Sequence, residues 1–327
     1  MKTKKRIIIS GCTGFVGSHL AEYCLKQGDE VYGTVLSHHL GDELTRIENI
    51  KDKIKLYECN LMNRGSVFKV LNETKPDVIF HLAASSFVPT SWKEPQEVLQ
   101  NNIISELNIF ETIKDLNLID KTKIVLALSS EEYGLVHPDE CPITEDQPLR
   151  PLSPYAVSKI GQEKLGYQYY QSYGLKTILT RFFNIEGPRR GQDFVISNFA
   201  KQIAKIEKGK QEPVINVGNL EAVRDFTDVK DVVRAYYLAA TSENIKCGEP
   251  YNICSGNDIS IRNMLDILLG LTECEIKVKQ DPERMRPSDV TRLIGDYSKF
   301  NRATNWKPKI PLEETLKDTL DFWRRNL

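Results

Sequence analysis

The sequence predicts an α/β fold: a Rossmann-type doubly wound parallel sheet followed by a smaller mixed α/β C-terminal domain. Three observations carry this expectation. Apolar runs of strand length alternate with longer runs of helical period up to residue 183, which is the pattern of βαβ units. Three glycines, Gly11, Gly14 and Gly17, lie between the first strand run and the first helical run. The rhythm changes near residue 184, where short strands mix with helices and no Gly/Ser-rich linker intervenes. The expected division is 1–183 and 184–327, with the two parts packed together.

Each element has its own signal. "RIIIS" (6–10) is a short apolar run and reads as a buried strand. In the helix that follows, Leu20, Tyr23 and Cys24 recur at helical spacing and Gly28 marks the stop. "EVYGTVL" (30–36), "IKLYEC" (54–59) and "PDVIFHLAA" (76–84) read as strands, with a helix over about 64–74. A long helix is expected over about 96–117, a strand in "KIVLALS" (123–129), a helix over about 155–173 and a strand in "KTILTRFF" (176–183). The second part offers the strands "EPVINVG", "EPYNIC" and "EIKVKQ", with helices at about 192–208, 228–241, 260–269 and 311–325.

Composition narrows the class. The 327 residues are 40% apolar and 27% charged, with a formal net charge of -1. That is ordinary for a globular protein and gives no bulk electrostatic case for nucleic acid or an anionic membrane. Seven scattered cysteines without a CxxC pair argue against a disulfide framework or a zinc site, and five dispersed histidines against any metal site. Reduced thiols and a cytoplasmic location are the expectation. The apolar run after "MKTKKR" is too short for a signal peptide, and no run approaches bilayer length.

The glycine turn has a chemical reading. Glycine allows positive φ and close approach of the backbone to a pyrophosphate, while the following helix presents open N–H groups and a partial positive charge. The position in a βαβ unit makes 1–183 a dinucleotide-binding domain. Phe15 and Val16 lie inside the turn, and Leu82, Ala83 and Ala84 follow the fourth strand. An acidic residue about 20 positions on would hold both ribose hydroxyls of NAD. The end of the second strand reads Thr34-Val35-Leu36-Ser37-His38-His39 instead. This favours NADP, with His38 or His39 as the available partner of a 2′-phosphate; NAD stays open.

Tyr155 and Lys159 stand four apart at the start of a helix, which puts them on one face. A nearby lysine is expected to lower a tyrosine pKa from about 10, so that the phenol can exchange a proton while hydride moves at nicotinamide. Ser129, at a strand end, is placed to hold the reacting oxygen. It opens "SSEEYG" (129–134), where two hydroxyls, two carboxylates and a phenol crowd the end of a buried strand. Glu132 is expected to point away from the site, and Tyr133 to pack with its hydroxyl satisfied. His81 reads as a satisfied strand-end histidine, and Trp92 as packing or substrate-loop structure.

The glycine pattern, "HLAA" (81–84), "SSEEYG" and Tyr155-x-x-x-Lys159 together resemble the extended short-chain dehydrogenases/reductases that modify nucleotide sugars. The resemblance spans essentially the whole chain. "FFNIEGPRRGQDFVISNFAKQI", "VGNLEAVRDFTDVKDVVRAY" and "RPSDVTRLIGD" look like the GDP-mannose branch, which includes 4,6-dehydratases and 4-keto-6-deoxymannose reductases. The resemblance implies a Ser129–Tyr155–Lys159 catalytic set. It implies nucleotide-sugar contacts from Ser130 and Asn184, diphosphate contacts from Arg224 and Arg286, and a ribose contact from Asp289. Arg189 and Arg190 match a loop that in the dehydratases helps bind cofactor across a subunit boundary.

Within that branch the signals divide. Glu131 aligns with the glutamate that removes the C5 proton in the dehydratases, and "PRRG" is dehydratase-like. The "TGFVG" turn, "FNIEGP", "RDFTDV" and the short segment before Arg286-Pro287 look like the reductases. The resemblance thus implies NADPH-dependent reduction of a GDP-linked 4-keto-6-deoxy sugar, giving GDP-rhamnose. GDP-mannose 4,6-dehydration with Glu131 as base is the alternative, and a non-catalytic dinucleotide-binding regulator is a remote one. It also implies a homodimer or tetramer through the helices near 96–117 and 155–173, with Tyr167, Tyr169, Tyr170 and Tyr173 as a possible dimer face.

Overall fold

The computed structural model describes residues 4–36, 44–282 and 290–327. The segment with His38 and His39, and the one with Arg286 and Asp289, lie outside the described residues.

The first six strands are β1 (Arg6–Ser10), β2 (Glu30–Val35), β3 (Lys55–Glu58), β4 (Val78–His81), β5 (Lys123–Ser129) and β6 (Lys176–Phe182). Interleaved with them are α1 (Phe15–Lys26), α2 (Arg64–Thr74), α3 (Val88–Lys93), α4 (Pro95–Asp115) and α5 (Pro154–Tyr173). The rest of the chain supplies β7 (Asn184–Glu186), α6 (Val195–Glu207), β8 (Val214–Val217), β9 (Val223–Asp228), α7 (Val229–Thr241) and β10 (Pro250–Ile253). It ends with β11 (Asp258–Ser260), α8 (Ile261–Leu269), β12 (Lys277–Gln280), β13 (Arg292–Leu293), α9 (Ser298–Thr304) and α10 (Leu312–Asn326).

The main sheet has seven strands in the order β10-β6-β5-β4-β1-β2-β3, and every pairing in it is parallel. Such a sheet is covered on both faces, which is why its strands read as continuous apolar runs. Alternate residues serve opposite faces: Ile7, Ile9, Phe80, Val125 and Ile178 join one core. Ile8, Ile79, Ile124, Leu126 and Leu179 join the other. The chain order reverses between β1 and β4, so a crevice opens at the carboxyl ends of these strands.

The second half is not wholly separate from the first. β10 adds to the edge of the main sheet, and α7 packs into the core beneath α1 through Val232, Tyr236 and Tyr237. What stands outside is the layer of α6, α8 and α10, with its own core of Phe199, Ile203, Met264, Leu268, Leu316 and Leu320. β9 carries the small sheet beside it, flanked by β11, β13 and β7.

The tyrosines of α5 divide. Tyr167 and Tyr173 are exposed, but Tyr169 is buried against Phe110 of α4 and donates its hydroxyl to Glu111 at 2.7 Å. Tyr169 therefore belongs to helix packing within the chain, because its ring fills the α4–α5 seam.

Candidate active site

One cleft of about 870 Å³ lies over the carboxyl ends of the sheet. It is lined by Gly11, Gly14, Phe15, Val16 and Gly17 at one end, and by Leu82, Ala83 and Ala84 along the side. Ser129, Ser130, Glu131, Tyr155 and Lys159 line its middle, with Asn184 and Arg224 opposite. The expected catalytic, glycine-turn and sugar-contacting residues that are described thus meet in one space, whereas Arg189 does not line it. Trp92, exposed, lines it as well.

The glycine turn is shaped as a backbone cradle. Gly11 has φ +69, and a Cβ at Gly17 would lie 2.2 Å from the Gly11 carbonyl oxygen. Gly14 caps α1 with no side-chain hydrogen bond, so the first turn, whose residues line the cleft, can offer its N–H groups to a ligand there. The Leu82–Ala83 loop is fixed against this turn by Ser10. Its Oγ accepts from Leu82 N at 3.0 Å and from Ala83 N at 3.1 Å. Its own proton therefore goes to His81 Nδ1, 2.9 Å away. His81 is half as expected: Nδ1 is satisfied, while the buried Nε2 has no hydrogen-bond partner among the described residues. Burial holds its pKa down at about 3, so it stays neutral.

The polar cluster after β5 resolves into a tight turn. Ser129 caps a 3-10 turn, Ser130–Glu132: its Oγ accepts from Glu131 N at 3.2 Å, and its own N donates to Glu132 Oε1 at 2.8 Å. This reciprocal cap satisfies two open donors. Glu131 is left at the cleft, whereas Glu132 is fully buried beneath it. Glu132 does face away from the site, but a helical turn sets this rather than strand alternation. Burial, reinforced by Glu163, pushes its carboxyl up to about 8, with Arg181 acting in the opposite sense. Tyr133 packs as expected: its hydroxyl donates to Asn252 Oδ1 at 2.6 Å and accepts from Arg181 Nη1 at 2.9 Å.

Ser153 caps α5 by accepting from Ala156 N at 3.1 Å, which starts the helix two residues before Tyr155. Tyr155 and Lys159 then share the face over β5, with Nζ 5.8 Å from the centre of the phenol ring. Lys159 donates to Ala127 O at 2.7 Å and to Gln162 Oε1 at 2.8 Å. Burial lowers its pKa to about 8, against the pull of Glu106 and Glu132. The expected lowering of the Tyr155 pKa is not what this structure gives. Burial pushes the phenol above its ordinary value, and a hydrogen bond to Ser129 only partly offsets this. The physical reason is desolvation of the phenolate next to Glu131 and Glu132, with the ammonium turned toward Ala127 and Gln162.

On the far wall, Asn184 Nδ2 donates to Asp225 O at 3.2 Å and Arg224 Nη1 to Val223 O at 2.9 Å. Asp225 ties β9 to the loop after β10 by accepting from Ser255 N at 2.7 Å and Gly256 N at 2.8 Å. The two neighbouring arginines separate. Arg189 bonds Glu22 of α1 at 2.5 Å within the chain. Arg190 lines the cleft, its guanidinium 3.6 Å from the Phe194 ring centre and 5.1 Å from that of Phe15. Sequence reasoning missed Glu186, a buried cleft residue whose carboxyl is pushed up to about 7 by burial. Among the described residues, no group of three or more His, Cys, Asp or Glu side chains is placed to hold a metal ion. No described helix is long and apolar enough to cross a membrane.

The family model described as GDP-mannose 4,6 dehydratase matches residues 8–319. The chain belongs to this family. Among relatives of this GDP-mannose dehydratase family member is the GDP-6-deoxy-D-mannose reductase of Pseudomonas aeruginosa, 31% identical over 319 residues, covering 98% of this chain and 97% of the relative. A Vibrio cholerae GDP-mannose 4,6-dehydratase is 31% identical over 347 residues, covering 96% and 92%. Among solved structures, RMD from Pseudomonas aeruginosa, complexed with NADPH, superposes with a TM-score of 0.85 at 30% identity, over 99% of this chain and 100% of that one. A Thermotoga maritima UDP-glucose 4-epimerase with UDP-glucose gives 0.84 at 28% identity, over 98% and 99%. The fold of this family member is therefore that of the extended short-chain dehydrogenases/reductases.

Proposed function

We propose that this protein is an NADPH-dependent GDP-4-keto-6-deoxy-D-mannose reductase, converting the C4 ketone to a hydroxyl and giving GDP-rhamnose. The observation that carries the reading is the pair of hydroxyl donors in the cleft. Ser129 Oγ already accepts from Glu131 N, which leaves its own proton to donate. Tyr155 is kept protonated by burial. Two O–H donors beside one oxygen suit a carbonyl that is gaining negative charge.

The cofactor fits the residues present. A Cβ at Gly17 would fill the cradle, and the α1 N-terminus offers open N–H groups to a pyrophosphate. When bound, the reduced nicotinamide supplies the hydride. Ser129 holds the C4 oxygen, Tyr155 passes its phenolic proton to it, and Lys159 stabilises the phenolate that remains. Asn184 and Arg224 face the sugar and diphosphate, the latter a role suited to a planar, permanently charged fork. Arg286, Asp289 and the choice of NADP over NAD at His38 and His39 rest on the sequence reading. Assembly through α4 and α5 belongs to the proposal too, and α5 exposes Val157, Tyr167 and Tyr173.

The dehydratase reading has one specific support: Glu131 lines the cleft two residues from Ser129, where a base for the C5 proton would stand. Chain length weighs against it. The reductase relative aligns over 319 residues with 98% of this chain, whereas the dehydratase needs 347 to match 96%, so parts of the dehydratase have no counterpart here. The test is product analysis of the purified protein. Turnover of GDP-4-keto-6-deoxymannose only with NADPH supports the reductase. A keto product from GDP-mannose without added reductant overturns it in favour of the dehydratase.

A further inference from the structure

Behind the reacting end of the cleft runs a short buried chain of polar groups. Lys159 Nζ donates to Gln162 Oε1 at 2.8 Å, and Gln162 Nε2 donates to Glu106 Oε2 at 2.9 Å. Glu106 comes from α4, Gln162 and Lys159 from α5, and all three are buried. The second oxygen of Glu106, Oε1, has no hydrogen-bond partner among the described residues. A buried carboxyl with half its bonding capacity idle costs stability unless it has another use.

The charges around Lys159 indicate that use. A buried ammonium needs a counter-charge. The titratable groups facing this one are Glu106 from α4, Glu132 from the 3-10 turn, His81 from β4 and Tyr155 from its own helix. His81 is neutral, and Tyr155 keeps its proton. Glu132 is committed to Ser129 N and lies 3.9 Å from Arg181 Nε. Burial pushes the Glu106 carboxyl well above the usual carboxylate range, and Lys159 is the one cation that opposes this among the described residues, with the Gln162 hydrogen bond acting in the same sense as Lys159.

We propose that Glu106 is the buried counter-ion of Lys159 and, through Gln162, a positioning residue that keeps the ammonium charged and aimed beside Tyr155. Gln162 fixes the geometry, since one face of its amide accepts from the ammonium and the other donates to the carboxylate. The inference rests on Lys159 serving the reductase reaction, but its charge state can be read without that reaction.

Two substitutions separate electrostatics from packing. Glu106→Gln removes the charge and keeps an oxygen for Gln162. Gln162→Glu puts a carboxylate directly against Nζ. The alkaline limb of the kcat/KM profile should move about one pH unit lower in the first, a tenfold loss along that limb, and should move higher in the second. The 13C shift of Lys159 Cε, assigned by its loss in Lys159→Met, should titrate with the same displacements in the protein alone. Opposite displacements of that titration in the two variants support the counter-ion even if no reductase activity is found. A titration unmoved in both, or moved the same way in both, overturns it.

Discussion

Gly17→Ala tests whether the glycine turn is a cradle or only a connection. The added methyl would sit 2.2 Å from the Gly11 carbonyl oxygen and 2.9 Å from Cys12 Cα. Both neighbours are backbone, and neither can rotate away, so the turn and the start of α1 must part by roughly an ångström to restore van der Waals contact. Overpacking of this kind costs about 1–3 kcal/mol. Alanine in a helix recovers about 1 kcal/mol, so the expected net is a loss of up to about 2 kcal/mol. The displaced elements are those that present N–H groups to the pyrophosphate, so NADPH affinity should fall by at least about tenfold, equivalent to about 1.4 kcal/mol. Urea unfolding and fluorescence titration with NADPH read the two quantities. Gly270→Ala is the control: its Cβ would meet nothing closer than 3.4 Å, and its stability should change by no more than about 0.5 kcal/mol. A Gly17→Ala protein with unchanged stability and unchanged NADPH affinity would refute the cradle.

Tyr155→Phe should lower kcat/KM by about 10²–10⁴ with NADPH binding retained, because it removes the proton donor and leaves the cradle intact. Ser129→Ala should cost about 10²–10³ in kcat, the loss of one donor to the developing oxyanion. Arg181→Met should destabilise the fold by about 3 kcal/mol in urea, since Glu163, bonded to Arg181 at 2.6 and 2.8 Å, would be left buried with only the exposed Lys164, 2.9 Å away, as an ion-pair partner; adding Glu163→Gln should return part of it. The thermal midpoint should fall as pH rises from about 6.5 to 8, above the range in which the buried, neutral His19 and His81 make stability rise with pH. Glu132 is raised to about 8 and Glu186 to about 7, so the native state holds protons that the unfolded chain has released in that window. The fall should be smaller in Glu132→Gln.

How much was legible beforehand follows from what each residue has to do. β1, β4, β5 and β6 are buried on both faces, so their apolar runs announce them. β9 is a strand of "VRDFTD", and its Asp225, Thr227 and Asp228 are buried polar residues. Asp225 is satisfied by a distant loop and Asp228 by capping α7, so no apolar pattern marks it. β10 joins a sheet whose other strands end by residue 182, a long-range pairing that no local period contains. The same division holds for the site. Gly11, Gly14, Gly17, Tyr155 and Lys159 carry short spacings that reflect local geometry. Glu106 and Gln162 meet across 56 residues, and only the packing of α4 on α5 creates their pairing. The Tyr155 shift runs opposite to the sequence expectation because a lysine four residues away is visible in sequence, whereas burial of the phenol is not.

In the proposed reaction the cleft delivers a hydride from NADPH to C4 of the sugar while Tyr155 supplies the proton. Reduction of GDP-4-keto-6-deoxymannose with NADPH deuterated at the transferable C4 position, followed by NMR of the product, tests it most directly. Deuterium is expected at C4 of the sugar ring, and essentially none in the Tyr155→Phe reaction over the same time. Deuterium at C6, or a product formed without any label, would contradict it.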